Sequence, residues 1–175
     1  MNWDSKTYFD LVVARTSSVK ASRNSSAALF YATGLAGEVE EFLAEYKKGH
    51  TFPQDEILAE AGDVLWNLIG FWACFGSPDI GPIEILKHEH PIRERIPSDL
   101  LNGACDICQV AHKLHRFHSN PVGQRKDKWA DPDVANVVID WFCQVLTAFF
   151  AEAGLELDEV LHHNREKLFK RCGIQ

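Results

Sequence analysis

From Pro53 to Phe75 the chain is apolar on almost every side of a helix. Ile57, Leu58, Ala61, Val64, Leu65, Leu68, Ile69 and Trp72 recur at helical spacing, and Trp66 and Phe71 carry apolar surface further round. What stays polar is one narrow line: Glu60, Asp63 and Asn67. A helix apolar nearly all round belongs in a core, and acids without partners are costly there. The segment therefore suits a fold that packs it among other helices and gives its polar line a cleft or a cation.

The preceding helical pattern, Ala27 to Lys48, supplies more acid. Glu38 and Glu41 form an E-x-x-E pair, and Glu60 and Asp63 form an E-x-x-D pair. Residues three apart share a helix face, so each pair points one way. If the helices run antiparallel through the short Gly49–Pro53 connection, the four carboxylates meet. No Lys or Arg occurs from Gly49 to Leu86. The competing interpretation is a solvated acidic face, because either pair alone is common. Both pairs on consecutive helices favour a hard divalent cation instead, with Mg2+ as the natural choice and Mn2+ as a substitute, since Mg2+ takes oxygen ligands and recruits substrate phosphates.

Helical periodicity dominates the rest, with no clear run of alternating strand residues, so the expected fold is an all-α antiparallel bundle in a single domain, residues 1–175. A first helix is expected over Ser5–Lys20, with a break near Ser22–Ser26. Gly49 and Pro53 suit a helix stop and the next start. Residues 76–97 hold four of the seven prolines and suit an irregular connection. Helices are expected again over Ser98–His118, Asp133–Ala153 and Leu157–Cys172, with a break between the first two. A faint echo links Leu35-Ala36-Gly37-Glu38 to Leu101-Asn102-Gly103-Ala104, and Asp63-Val64-Leu65-Trp66 to Asp140-Trp141-Phe142-Cys143. It suggests a helical hairpin (residues 27–76) repeated in degenerate form (98–153). Ala104, Ile107 and Val137 then stand where Glu38, Glu41 and Glu60 stand in the first copy.

A formal charge of −7 argues against coating a nucleic-acid polymer, and five cysteines are not the dense set of a secreted disulfide scaffold. The N-terminus lacks a basic-then-apolar signal, and Val64 to Gly76 looks too short to span a bilayer. A soluble, cytoplasmic protein is expected.

Asn164, Lys167 and Arg171 share a face of the last helix, with Lys170 beside them. They either complement the helix dipole or comb phosphate oxygens. Cys105, Cys108, His112 and His115 stretch along about 15 Å of one helix, too far to close a tetrahedron around one ion. The lone E-x-x-H at Glu159–His162 falls short of a di-iron bundle, which uses that motif twice. No glycine-rich phosphate loop is present.

Gly34-Leu35-Ala36-Gly37-Glu38-Val39-Glu40-Glu41 followed by Glu60-Ala61-Gly62-Asp63-Val64-Leu65-Trp66 resembles the MazG-like, all-α nucleoside triphosphate pyrophosphohydrolases. Leu157-Asp158-Glu159-Val160 with Asn164-Arg165-Glu166-Lys167-Leu168 and Arg171 looks like that family's last helix, and Ala14-Arg15-Thr16 and Leu29-Phe30-Tyr31 fit its first helices. The long stretch from Phe75 to the last helix departs from a short MazG-like protein. It is similar to the dimeric dUTPases, which resemble a duplicated hairpin with acids in one copy.

The resemblance implies that Glu38, Glu41, Glu60 and Asp63 bind Mg2+. Water would attack the α-phosphorus of a (d)NTP, with one of these acids, or Glu45, orienting or deprotonating it. Lys167 and Arg171 would hold phosphates, and Asn164 a phosphate, sugar or base. Trp66 and Asn67 would line a base pocket, although Trp66 suits the core equally well. A homodimer or higher homo-oligomer is implied. Family members act on dUTP, dCTP or several (d)NTPs, so no base is assigned. The rival class is a non-catalytic helical module that binds nucleotide or mediates oligomerisation.

Overall fold

A computed structural model describes residues 25–48, 54–75, 85–87, 96–119 and 132–172. The expected first helix at Ser5–Lys20 and the Gly49–Pro53 connection lie outside the described residues. Within them the fold is all-α: α1 (Ser25–Lys47), α2 (Gln54–Phe75), α3 (Ile96–Ser119), α4 (Pro132–Ala153) and α5 (Leu157–Cys172). No strand occurs among the described residues.

Two helix starts differ from expectation for the same physical reason. Pro97, expected in the connection, lies in the first turn of α3, and Pro132 opens α4. A first-turn N–H has no intrahelical partner, so proline there forfeits no hydrogen bond and its fixed φ already suits the helix. Ser25 and Ser26, expected in a break, instead begin α1. Between α4 and α5 the chain stops helically at Gly154, which takes φ 68°. Leu155 N–H then donates to Phe150 C=O at 2.8 Å, and the Leu155 side chain is buried. This six-to-one bond with a left-handed glycine closes the end of α4 and lets α5 turn back onto the bundle.

α1 packs on α2 and α3, α3 on α4, and α2 on α5. The contacts of α1 with α2 run in opposite chain directions: Tyr31 meets Gly70, and further on Gly34 meets Asn67. α1 and α3 are also antiparallel, since Ser25 pairs with His115 at 3.4 Å and the Cys108 thiol donates to Ala32 C=O at 2.9 Å. Phe42 meets Phe149 edge-on with ring centroids 5.0 Å apart, and Tyr46 O–H donates to Glu152 at 2.8 Å, joining the C-terminal halves of α1 and α4.

One buried cluster draws on all five helices, with Phe42, Phe71, Phe142 and Phe149 the largest fully buried side chains. Each such burial is worth roughly 1.5–3 kcal/mol. The anticipated α1 stripe of Leu35, Val39, Phe42 and Leu43 is buried as drawn, with Tyr46 half-buried at its end. Asp55–Cys74 of α2 and Asp133–Ala153 of α4 are each long and apolar enough to cross a membrane, which corrects the shorter estimate for α2. The bundle buries 61% of the α2 window and 50% of the α4 window, so neighbouring helices absorb much of that apolar character.

Candidate functional site

The site begins with how closely α1 and α2 approach. A Cβ on Gly34 would lie 2.4 Å from Asn67 Oδ1, and one on Gly70 would lie 2.5 Å from the Tyr31 ring. No larger residue fits either place without displacing its neighbour. Asn67 is 7% exposed and donates Nδ2–H to Asp63 C=O at 3.0 Å, one turn back on its own helix. Closely packed there, the antiparallel helices carry Glu38 of α1 to the level of Asp63 on α2.

Glu38, Glu60 and Asp63 each present a carboxylate oxygen, and the three oxygens lie within 4.8 Å of one another. All three side chains are half-buried. Helix α5 brings the complementary groups: Lys167 Nζ pairs with Asp63 Oδ2, and Asn164 Nδ2–H reaches Asp63 Oδ1 at 3.4 Å. Both oxygens of Asp63 are thus engaged from α5. Lys167 and Asp63 are 18% and 23% exposed, so the pair is shielded from bulk solvent without being sealed from it.

The electrostatics follow from this crowding. Burial pushes the Glu38 carboxyl above its ordinary range, and the charges of Asp63, Glu41 and Glu60 push it further, with Lys167 opposing. Glu60 is raised for the same first reason, burial, and then by Asp63, Glu41 and Glu45, again against Lys167. Like charges and lost hydration both disfavour ionisation. Among the described residues Lys167 alone pairs with the cluster, which leaves three carboxylates against one cation there.

Of the four predicted acids, three form the cluster. Glu41 is exposed and stands outside it, yet near enough for its charge to act on Glu38 and Glu60. Glu45, one turn further along α1, accepts from Lys48 through Oε1, while its Oε2 is buried without a hydrogen-bond partner among the described residues. Lys167 reaches the acids. Arg171 is exposed in the last turn of α5 and makes no ion pair among the described residues. Trp66 is half-buried and packs against the core. Asn164 has no exposed surface.

The Cys and His stripe of α3 assembles no metal grouping among the described residues: Cys105 and His112 are exposed, and Cys108 and His115 bond to α1. Two features escaped the sequence reading, namely the direct Lys167–Asp63 pair and the seating of Asn164 against Gly62. Gly62 is visible in the chain as a small residue beside Asp63, but nothing local names its partner.

Three carboxylates with oxygen-only donors suit a hard divalent cation, and their mutual repulsion gives that cation something to relieve. Comparison with family models, with curated proteins and with solved structures finds no match.

Proposed function

We propose that this protein hydrolyses (deoxy)nucleoside triphosphates to the monophosphate and pyrophosphate in a divalent-cation-dependent reaction, as nucleotide-pool housekeeping. The observation that carries the reading is the convergence of Glu38, Glu60 and Asp63 with Lys167, contributed by three helices to one half-buried place. The MazG-like pattern of these residues supports the same chemistry as an analogy.

A Mg2+ ion at this site, with Mn2+ as substitute, supplies charge neutralisation on phosphate oxygens and makes a nearby water acidic enough to attack near neutral pH. The chain's own residues do the rest. Glu38, Glu60 and Asp63 hold the cation, and Glu41 adds negative potential from the rim. Lys167 exchanges Asp63 for a phosphate oxygen as the substrate arrives, and Arg171, one turn further on the same face, reaches the outer phosphates as a two-pronged donor. One of the acids, or Glu45, whose Oε2 is buried without a hydrogen-bond partner among the described residues, would orient the attacking water or take its proton. Trp66 offers the flat surface a base would stack on. Phe30 and Val137, 71% and 68% exposed, are surfaces that a second copy of the chain would cover in a homodimer.

A panel of canonical and modified (d)NTPs with Mg2+, following pyrophosphate and orthophosphate separately, tests the reading. Pyrophosphate with a monophosphate product is the expected result, and the preferred base names the substrate. Orthophosphate would contradict attack at the α-phosphorus. No release with Mg2+ or Mn2+ would leave a nucleotide-binding module instead.

A further inference from the structure

Asn164 is a polar side chain with no exposed surface. A buried amide is kept in a core only when it is bonded and held, because its lost hydration must be made good. Here it sits against Gly62 of α2, where a Cβ would stand 2.5 Å from Nδ2, 2.6 Å from Cβ and 2.9 Å from Cγ of Asn164. The glycine leaves a notch, and the asparagine fills it. From that notch Nδ2 points to Asp63 Oδ1 at 3.4 Å, while Lys167, one turn along the same helix, takes Oδ2. At 3.4 Å the hydrogen bond is long for N–H···O, and the close fit of the amide over Gly62 helps to keep it aimed.

We propose that Asn164 is a positioning residue: seated over Gly62, it fixes the rotation of the Asp63 carboxylate toward Glu38 and Glu60 and makes no contact with nucleotide. This role rests on the metal-centre reading above. With no surface of its own, the Asn164 amide offers nothing for a phosphate, sugar or base to touch. Its effect passes through Asp63, as an outer-shell partner orients a ligating carboxylate.

The test uses the full chain with Asn164→Ala, Gly62→Ala and the double variant, and reads three quantities: thermal midpoint, Mn2+ affinity without nucleotide, and kcat and KM separately. Asn164→Ala is expected to weaken Mn2+ binding about tenfold and to lower kcat while leaving KM for nucleotide unchanged. Gly62→Ala should lower the thermal midpoint, because its methyl group enters the space of the asparagine. The double variant should regain only part of the midpoint, because the Cβ kept at position 164 still lies 2.6 Å from the new methyl group, and it should keep the weakened Mn2+ binding. Recovery of Mn2+ affinity in the double variant would reduce Asn164 to a space filler and overturn the proposal. A raised KM with Mn2+ affinity intact in Asn164→Ala would overturn it by making Asn164 a ligand contact. Should Gly62→Ala fail to fold, Asn164→Ala alone decides. Wild-type protein that binds no Mn2+ overturns the metal centre itself, and this role with it.

Discussion

At Glu38 the first hairpin turns a carboxylate toward Asp63, whereas Ala104, the residue that matches it in the second hairpin, is fully buried. The contrast can be followed at the other positions that the sequence echo pairs. Glu41 is exposed and its counterpart Ile107 is fully buried; Glu60 joins the acid cluster and its counterpart Val137 is 68% exposed. Asp63 is engaged from α5, while Asp140 is exposed and, among the described residues, accepts from its own helix, from Gln144 at 2.9 Å. Even the matching glycines differ. A Cβ on Gly37 would meet nothing within 4 Å, but one on Gly103 would stand 2.7 Å from the Trp141 ring and 2.8 Å from Phe142. In the first hairpin three of the matched acids converge into a charged cluster, whereas in the second Ala104 and Ile107 are buried in the apolar core and Val137 and Asp140 face outward. The same helix pair can serve as scaffold or as site, and the side chains facing the gap decide which.

Breaking that division should have its largest effect on turnover. Asp63→Asn is expected to cut nucleotide hydrolysis on the order of 10³-fold, the factor that about 4 kcal/mol of lost cation and transition-state stabilisation represents. Asp140→Asn, its counterpart, should leave turnover near the wild-type rate. Equal losses in steady-state assays of the two variants would erase the distinction between the hairpins.

Moving charge into the apolar hairpin comes next. Ile107→Glu places a carboxylate where α3 has no exposed surface. It should cost about 3 kcal/mol or more of unfolding free energy, as an unpaired buried charge does. Denaturant titration reads this directly, and a loss below about 1 kcal/mol would mean the second gap can take an acid after all.

The smallest effect sharpens the first hairpin. An acid whose pKa rises on folding holds its proton more tightly in the native state. Its effect on stability is nil well below the ordinary value of 4.5 and becomes unfavourable as pH climbs through the raised value. Glu38→Gln should therefore raise the thermal midpoint at pH 7, by roughly 2–4 °C for each 1 kcal/mol of repulsion removed. The gain should vanish toward pH 4. Added Mg2+ should likewise stabilise the wild-type chain more at pH 7 than at pH 5, by ligand linkage. A Glu38→Gln midpoint that is unchanged at pH 7 would show that Lys167 already balances the cluster.

Much of this arrangement was legible in the chain. Period and breakers located all five described helices, because apolar spacing and Pro/Gly chemistry are local properties. The acid line of α2 stood out because Glu60 and Asp63 interrupt an otherwise apolar surface, and Glu38 followed from its spacing. Glu41 looked equivalent to Glu38, but helical spacing puts residues on a face without saying where that face leaves the interface. The proline starts of α3 and α4 were missed by a residue or two, since proline is both a breaker and a good first-turn residue.

The sequence by itself determined an all-α protein with an acid-bearing helix pair, because helix period and charge spacing are written in neighbours. Only the tertiary structure decided which acids converge, that Lys167 answers Asp63, and that Asn164 fills the notch at Gly62. Those contacts join residues about a hundred positions apart in the chain. Steric fit between packed helices sets them, and no local pattern carries that information.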